Sequence, residues 1–258
     1  MKTTRFILGL AVPVLTAWVV RAKVPSERVP DAPDLATYIK IAYKPIVKWS
    51  ANRILKGRYL DRVDLNKGRF NQTDIDRVLE NTWHNYDELA PTTHVERLKT
   101  LGNRHNVLLG VLTHALYRAL LDVGLEKGYV TELVSDLMWK AYEQWIGLPR
   151  AFARLTTQDP QEQMNKMLNM FLRYPFNPPG YDCKILAKTD VFVQDVYRFP
   201  VYEYFKSHSK EEFMLNTWCT QDFALAQVMT EGGSYERSHT LAAGDKVCDM
   251  KWYGKPRS

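Results

Sequence analysis

Glu211-Glu-Phe-Met-Leu-Asn-Thr-Trp-Cys219-Thr-Gln-Asp222-Phe-Ala-Leu-Ala-Gln-Val-Met229 and, closely after it, Gly232-Gly-Ser-Tyr235-Glu-Arg237-Ser-His239-Thr240-Leu-Ala-Ala-Gly244-Asp-Lys-Val-Cys248-Asp249-Met-Lys-Trp252 decide the fold. The first stretch is long and free of Gly and Pro, which predicts a helix. The second predicts two strands, Tyr235 to Leu241 and Lys246 to Trp252, joined at Ala242-Ala-Gly244-Asp. Gly244 suits the left-handed position of a hairpin turn. A long helix beside antiparallel strands is an α+β arrangement.

Upstream, Pro175-Phe-Asn-Pro-Pro-Gly180 is a strong break. Between it and the long helix, Cys183 to Thr189 and Val191 to Tyr197 are rich in strand formers, and Val201 to Phe205 is a short helix. Before the break the pattern is helical. Thr73 can cap a helix through about Leu89, and apolar residues from Asn106 to Val123 follow the helical repeat. A second stripe, Leu133, Val134, Leu137, Met138, Ala141 and Trp145, ends at Gly147-Leu-Pro149, and Pro160 opens a helix to about Arg173. One α+β domain is therefore expected over 63–258, with a helical part at 63–175 and an α+β part at 176–258. His94, His105 and His114 stand singly and are read as structural or exposed.

With 258 residues, 45% hydrophobic and 12% aromatic, the chain can build a full core, which excludes wholesale disorder. Its three cysteines, Cys183, Cys219 and Cys248, are too scattered for a disulfide scaffold or a zinc finger. They are buried packing residues or site residues, and no metal or cofactor is expected. The net charge of +6 is concentrated. Between Thr37 and Arg62, seven cations (Lys40, Lys44, Lys48, Arg53, Lys56, Arg58, Arg62) face one acid, Asp61, so this segment alone nets +6. No nucleic-acid-binding motif accompanies these charges, and no nucleic-acid partner is expected.

The first 23 residues form a signal or membrane-anchor segment in this reading. An apolar run from Phe6 to Val20 lies between Lys2 and Arg5 on one side and Arg21 and Lys23 on the other. At fifteen residues it is shorter than the roughly twenty that span a bilayer. Over 24–62, Pro25, Pro30 and Pro33 predict an extended spacer. The stretch Ala36 to Arg58 then repeats lysine every fourth residue. It fits either a basic amphipathic segment on an anionic membrane surface or the solvated face of an ordinary packed helix.

Cys219 and Asp222 are three apart on the long helix and share a face. Cys248 and Asp249 are consecutive on a strand and point to opposite faces, so only one of them can meet Cys219. Arg237 and His239, two apart, would share a face of the neighbouring strand. A pocket between helix and sheet could thus collect Cys219, Asp222, Arg237 and one of Cys248 or Asp249. Asp222 with Arg237 could equally be a structural ion pair.

Trp218-Cys219-Thr-Gln-Asp222, then Arg237-Ser-His-Thr240-Leu-Ala-Ala-Gly244 and Cys248-Asp249-Met250, resemble the C-terminal half of the L-2-amino-thiazoline-4-carboxylic acid hydrolase-like family, over about residues 182 to 253. The family shows a helical Cys-x-x-Asp, an Arg-x-x-Thr-Leu-x-x-Gly turn and a final Cys-Asp-Phe. The resemblance implies a hydrolase that opens a small cyclic amidine-like carboxylate. It implies Cys219 as nucleophile or water-positioning group, Asp222 as base, Cys248 and Asp249 as further catalytic residues, and Arg237, Thr240 and His239 on the substrate. The chain departs from the family at Phe199-Pro200, where members commonly have Cys-Pro, and at Met250, where they have Phe. The alternatives are a small-molecule binding or sensor domain without turnover, and an accessory subunit of a membrane complex.

Overall fold

The computed structural model describes residues 32–255. The apolar run from Phe6 to Val20, with Pro25 and Pro30, lies outside the described residues. Among the described residues no helix is long and apolar enough to cross a membrane.

Helix α1, Ala32–Ile54, takes Pro33 into its first turn instead of leaving it in an extended spacer. It buries Leu35, Ile39, Tyr43, Val47 and Ala51, and Leu55 continues the same four-residue repeat. These side chains sit in one core with α2 (Gln72–Leu89), α3 (Leu101–Asp122) and the first half of α4 (Lys127–Thr156). The lysines fall one position further round the helix. Lys40 pairs with Asp87, and Lys44 Nζ lies 5.8 Å from the centre of the Trp83 ring. Of the two readings of this segment, the packed helix is the one the structure shows.

Helix starts follow side-chain caps. At α2 the cap is Asn71, two residues before Thr73. Its side chain accepts from the Asp74 amide at 3.1 Å, and Asp74 returns a bond to the Asn71 amide at 3.0 Å. Helix α3 starts at Leu101 instead of Asn106, because Thr100 caps it by accepting from the Asn103 amide. Helix α4 passes Gly147-Leu-Pro149 and runs to Thr156. Pro149 removes one ladder bond, but Ile146 and Ala153 on either side of it are buried in a second core, and that packing carries the helix through. Helix α5, Pro160–Arg173, opens with Pro160 behind an Asp159 cap.

Strands β1 (Asp182–Ala187), β2 (Phe192–Arg198), β3 (Ser234–Glu236) and β4 (Cys248–Tyr253) form an antiparallel sheet in the order β1-β2-β4-β3. Helices α6 (Pro200–Ser207) and α7 (Glu211–Met229) lie between β2 and β3 in the chain. One sheet face packs inward. Phe192 pairs with Trp252, which pairs with Tyr235, and all three are buried with Met164, Met167, Leu225 and Met229 of α5 and α7. The fold is α+β, as the sequence pattern predicts.

The strand expected from Tyr235 to Leu241 stops at Glu236. Beyond it, backbone amides are taken by carboxylates instead of by a neighbouring strand. Asp249 Oδ1 accepts from Ser238 and His239, and Asp245 Oδ2 accepts from Thr240. The connection is therefore a loop with one short 3-10 turn, Leu241–Ala243, closed by Gly244 at φ 95°. Gly244 is left-handed as expected, but it ends the 3-10 turn and not a two-strand hairpin.

Candidate active site

Helix α7 presents Cys219, which is buried, and Asp222 one turn later toward the start of the loop after β3. Arg237 stands one residue past β3 and two after the buried Tyr235, so it keeps to the same inward side. Its Nη1 donates to Asp222 Oδ2 at 3.2 Å, and the Tyr235 hydroxyl donates to the same oxygen at 3.3 Å. The Arg237 side chain is 7% exposed and that of Asp222 23%, so the pair is largely out of water but open on one side.

The two thiols meet at Thr240. The Thr240 hydroxyl lies 3.4 Å from Cys248 Sγ, which also accepts from the Leu241 amide at 3.3 Å. Cys219 lies near this pair, since Thr240 and Cys248 are among the groups that act on its titration. The structure thus brings together Cys219, Asp222, Arg237, Thr240 and Cys248 from a helix, a loop and a strand. It places Asp249 and His239 elsewhere. Asp249 Oδ2 pairs with His239 Nδ1 at 3.0 Å on the solvent side of the sheet, and the same carboxylate fastens the loop backbone. Cys248 is the member of its pair that faces Cys219. His239 does not share a strand face with Arg237, since neither residue lies in a strand.

Burial raises the Asp222 carboxyl from 3.8 to about 6, while Arg237 and the Tyr235 hydroxyl pull it back down. Such a group exchanges a proton near neutrality, as a general base or acid requires. The thiols behave differently. Burial, then the Asp222 charge, pushes Cys219 up to about 12 against the pull of Arg237. Burial also raises Cys248, against its bonds from Thr240 and the Leu241 amide. Both sulfurs are therefore held as neutral thiols, unlike an activated nucleophile. Among the described residues no group of three His, Cys, Asp or Glu side chains forms a metal-holding cluster.

Three tyrosines escaped the sequence reading. Tyr235 shares the Asp222 oxygen, and burial, then the Asp222 charge, raises the hydroxyl of Tyr142 on α4. Tyr181 feels burial first, and both Tyr142 and Asp222 also act on it. Tyr235 stands two residues before Arg237, which was a usable signal. Tyr142 lies beside a stripe that reads only as core. Phe199 stacks on Tyr181 at 5.7 Å between ring centres and packs with Val196, Leu241 and Cys248. The single histidines are structural. His105 bridges Tyr43 and Tyr174, His114 bonds Tyr204, and His94 is exposed.

The fold and site together define an α+β protein with a semi-enclosed carboxylate–guanidinium pair flanked by two protonated thiols. Comparison of the chain with family models, with curated proteins and with solved structures finds no match.

Proposed function

We propose that the protein hydrolyses a C–N bond in a small cyclic amidine carboxylate of the 2-amino-thiazoline-4-carboxylate kind. The observation that carries this reading is the Asp222 carboxyl, raised to about 6 and anchored by Arg237 through one oxygen. The Asp222 carboxylate takes a proton from water as the water oxygen bonds to the ring carbon between nitrogen and sulfur. The C–N bond then breaks as the added oxygen becomes a carbonyl; the ring nitrogen takes the proton held on Asp222 and, through the same carboxylate, the second proton that the hydroxyl releases as the C=O forms. Arg237 Nε and Nη2, which make no hydrogen bond among the described residues, hold the substrate carboxylate. Thr240, Cys248 and Cys219 line the ring and position the water; none needs to act as a thiolate. The apolar run Phe6 to Val20 supports a membrane-associated or exported location for this activity.

The test is the purified chain incubated with 2-amino-thiazoline-4-carboxylate while ring opening is followed. Turnover that falls by roughly 100-fold or more in Asp222→Asn, with folding intact by circular dichroism, supports the reading. A folded wild type without turnover overturns it.

One observation favours a second reading, a small-molecule binding domain without turnover. Phe199 fills the place beside Cys248 where the family commonly carries a third thiol. Saturable binding of the same thiazoline, with no product formed, distinguishes this reading from the first.

A further inference from the structure

At the C-terminal end of α1 the chain turns back on itself through Gly57 at φ 81°. The Tyr59↔Arg69 bridge fastens this return, with Phe70 donating to the Arg58 carbonyl at 2.8 Å and Gly57 donating to the Phe70 carbonyl at 3.1 Å. Leu55 and Phe70, both buried, root it in the helical core. The return encloses a cleft of about 420 Å³, a volume suited to a small ligand. Arg53, Lys56, Arg58, Arg62 and Arg69 line it, and no acidic residue does.

Three of the five cations are held in place. Arg58 Nη2 bonds Asp136 at 2.9 Å, and Arg62 pairs with Glu132 while its guanidinium lies 4.2 Å from the centre of the Tyr129 ring. Arg69 donates to the Gly57 carbonyl at 2.6 Å and lies 3.8 Å from the centre of the Tyr59 ring. Arg53 and Lys56 are exposed and make no ion pair among the described residues. Glu132 and Asp136, with Glu126 whose charge also reaches Arg62, offset three of the five cations and leave an excess of two positive charges around one concavity. Like charges held this close repel until an anion enters, and guanidinium forks match phosphate oxygens two at a time.

We propose that this cleft binds a multiply charged phosphate group, carried either by a soluble small molecule or by a lipid headgroup. It takes up the positive charge that the sequence concentrates before Arg62, which the Asp222 site does not use. The inference is independent of the hydrolase reading. The 23 residues of α1 set the cleft about 34 Å, at 1.5 Å per residue, from the Ala32 end of the helix.

The experiment uses the full chain with two probes. Inorganic pyrophosphate is titrated by calorimetry, and co-sedimentation is measured with phosphatidylcholine vesicles with and without phosphatidic acid. Pelleting with phosphatidylcholine alone serves as the baseline for the apolar N-terminal run, and the increment from phosphatidic acid reports the cleft. The variant Arg53→Gln/Lys56→Gln removes two unpaired exposed cations without touching the anchored ones. Lys44→Gln/Lys48→Gln removes the same charge from α1 outside the cleft. Affinity for at least one probe is expected to fall about tenfold in the cleft variant and to change little in the control. A loss for pyrophosphate identifies a soluble phosphate ligand, and a loss only in the phosphatidic acid increment identifies a headgroup. No binding of either probe by the wild type, or equal losses in both variants, overturns the proposal.

Discussion

Asp222 and Arg237 meet through a single carboxylate oxygen: Arg237 Nη1 and the Tyr235 hydroxyl both donate to Oδ2, at 3.2 and 3.3 Å. Oδ1 makes no hydrogen bond among the described residues, and the side chain is 23% exposed. One oxygen is thus fixed by the protein, and the other can hold or release a proton toward whatever occupies the open side.

Replacing Asp222 by Ala leaves a nearly buried guanidinium without its partner. The expected destabilisation is about 3 kcal/mol, read as a lower urea midpoint at unchanged slope. Asp222→Asn keeps an acceptor for both donors and is expected to cost about 1 kcal/mol. Equal costs for the two variants would mean that the Asn oxygen does not replace the carboxylate as acceptor for Arg237 and Tyr235.

The raised Asp222 carboxyl fixes the sign of a pH effect. Its unfolded value lies near 3.8 and its folded value near 6, so between these the folded state keeps a proton that the unfolded state has released. Stability from this group is therefore highest below about pH 4, falls as pH rises to about 6, and is level above that. Discounted for partial exposure, the fall is on the order of 2 kcal/mol. Unfolding free energies of wild type minus Asp222→Asn across pH 4 to 7 give the measurement, and a flat difference would remove the raised carboxyl from the account. In the proposed reaction, kcat/KM rises with pH through the same region, because only the carboxylate accepts a proton from water.

The state of the thiols is open to direct test. Cys183 is half-buried on the edge strand β1 and Cys219 and Cys248 are buried; burial raises all three thiols, with the Asp182 charge adding to it at Cys183. An aromatic disulfide reagent at neutral pH is expected to titrate Cys183 first and the other two only on denaturation. Rapid labelling of native Cys219, located by peptide mapping, would restore the nucleophile role to it.

The α+β class and the long helix α7 were legible in the sequence, because helical repeat and strand alternation are local signals; alternation also showed that only one of Cys248 and Asp249 can meet Cys219, but not which. The meeting of Asp222 with Arg237, with Cys219 on the same face of α7, followed from spacing alone. Three features were hidden because distant groups decide them. Asp249 and Asp245 capture the amides after Glu236 and shorten β3, so His239 turns out although it stands two residues after the inward Arg237. The second core under Ile146 and Ala153 carries α4 through Pro149. Tyr142 joins the site only because α4 packs against α7.

Phe199 tests whether this chain has traded chemistry for packing. Its ring lies against Tyr181, Tyr202 and the Cys248 cluster, so Phe199→Ala should cost about 2 to 3 kcal/mol, reduced from a full core truncation because the ring is only partly buried. Phe199→Cys should cost about 2 kcal/mol and set a third thiol beside Cys248. If that variant opens the thiazoline ring faster than wild type, the aromatic plug suppresses turnover. An unchanged rate assigns Phe199 to packing alone.

Two glycines give opposite signs for the same substitution. A Cβ on Gly254 would lie 2.3 Å from the Pro160 carbonyl carbon and 2.4 Å from the Gln161 nitrogen, and Gly254 also donates to Gln161 Oε1 at 2.6 Å. These neighbours are backbone at the start of α5 and cannot rotate away, so Gly254→Ala must push the end of β4 off the helix. The expected cost is about 1 to 3 kcal/mol. Gly147 lies exposed inside α4, and a Cβ there meets nothing within 4 Å. Gly147→Ala removes backbone freedom from the unfolded chain without a clash and should stabilise the protein by about 0.5 to 1 kcal/mol. Thermal unfolding of the two variants side by side should move the midpoint in opposite directions. A stabilised Gly254→Ala would contradict the close seating of β4 on α5. A destabilised Gly147→Ala would contradict a continuous α4 through Pro149.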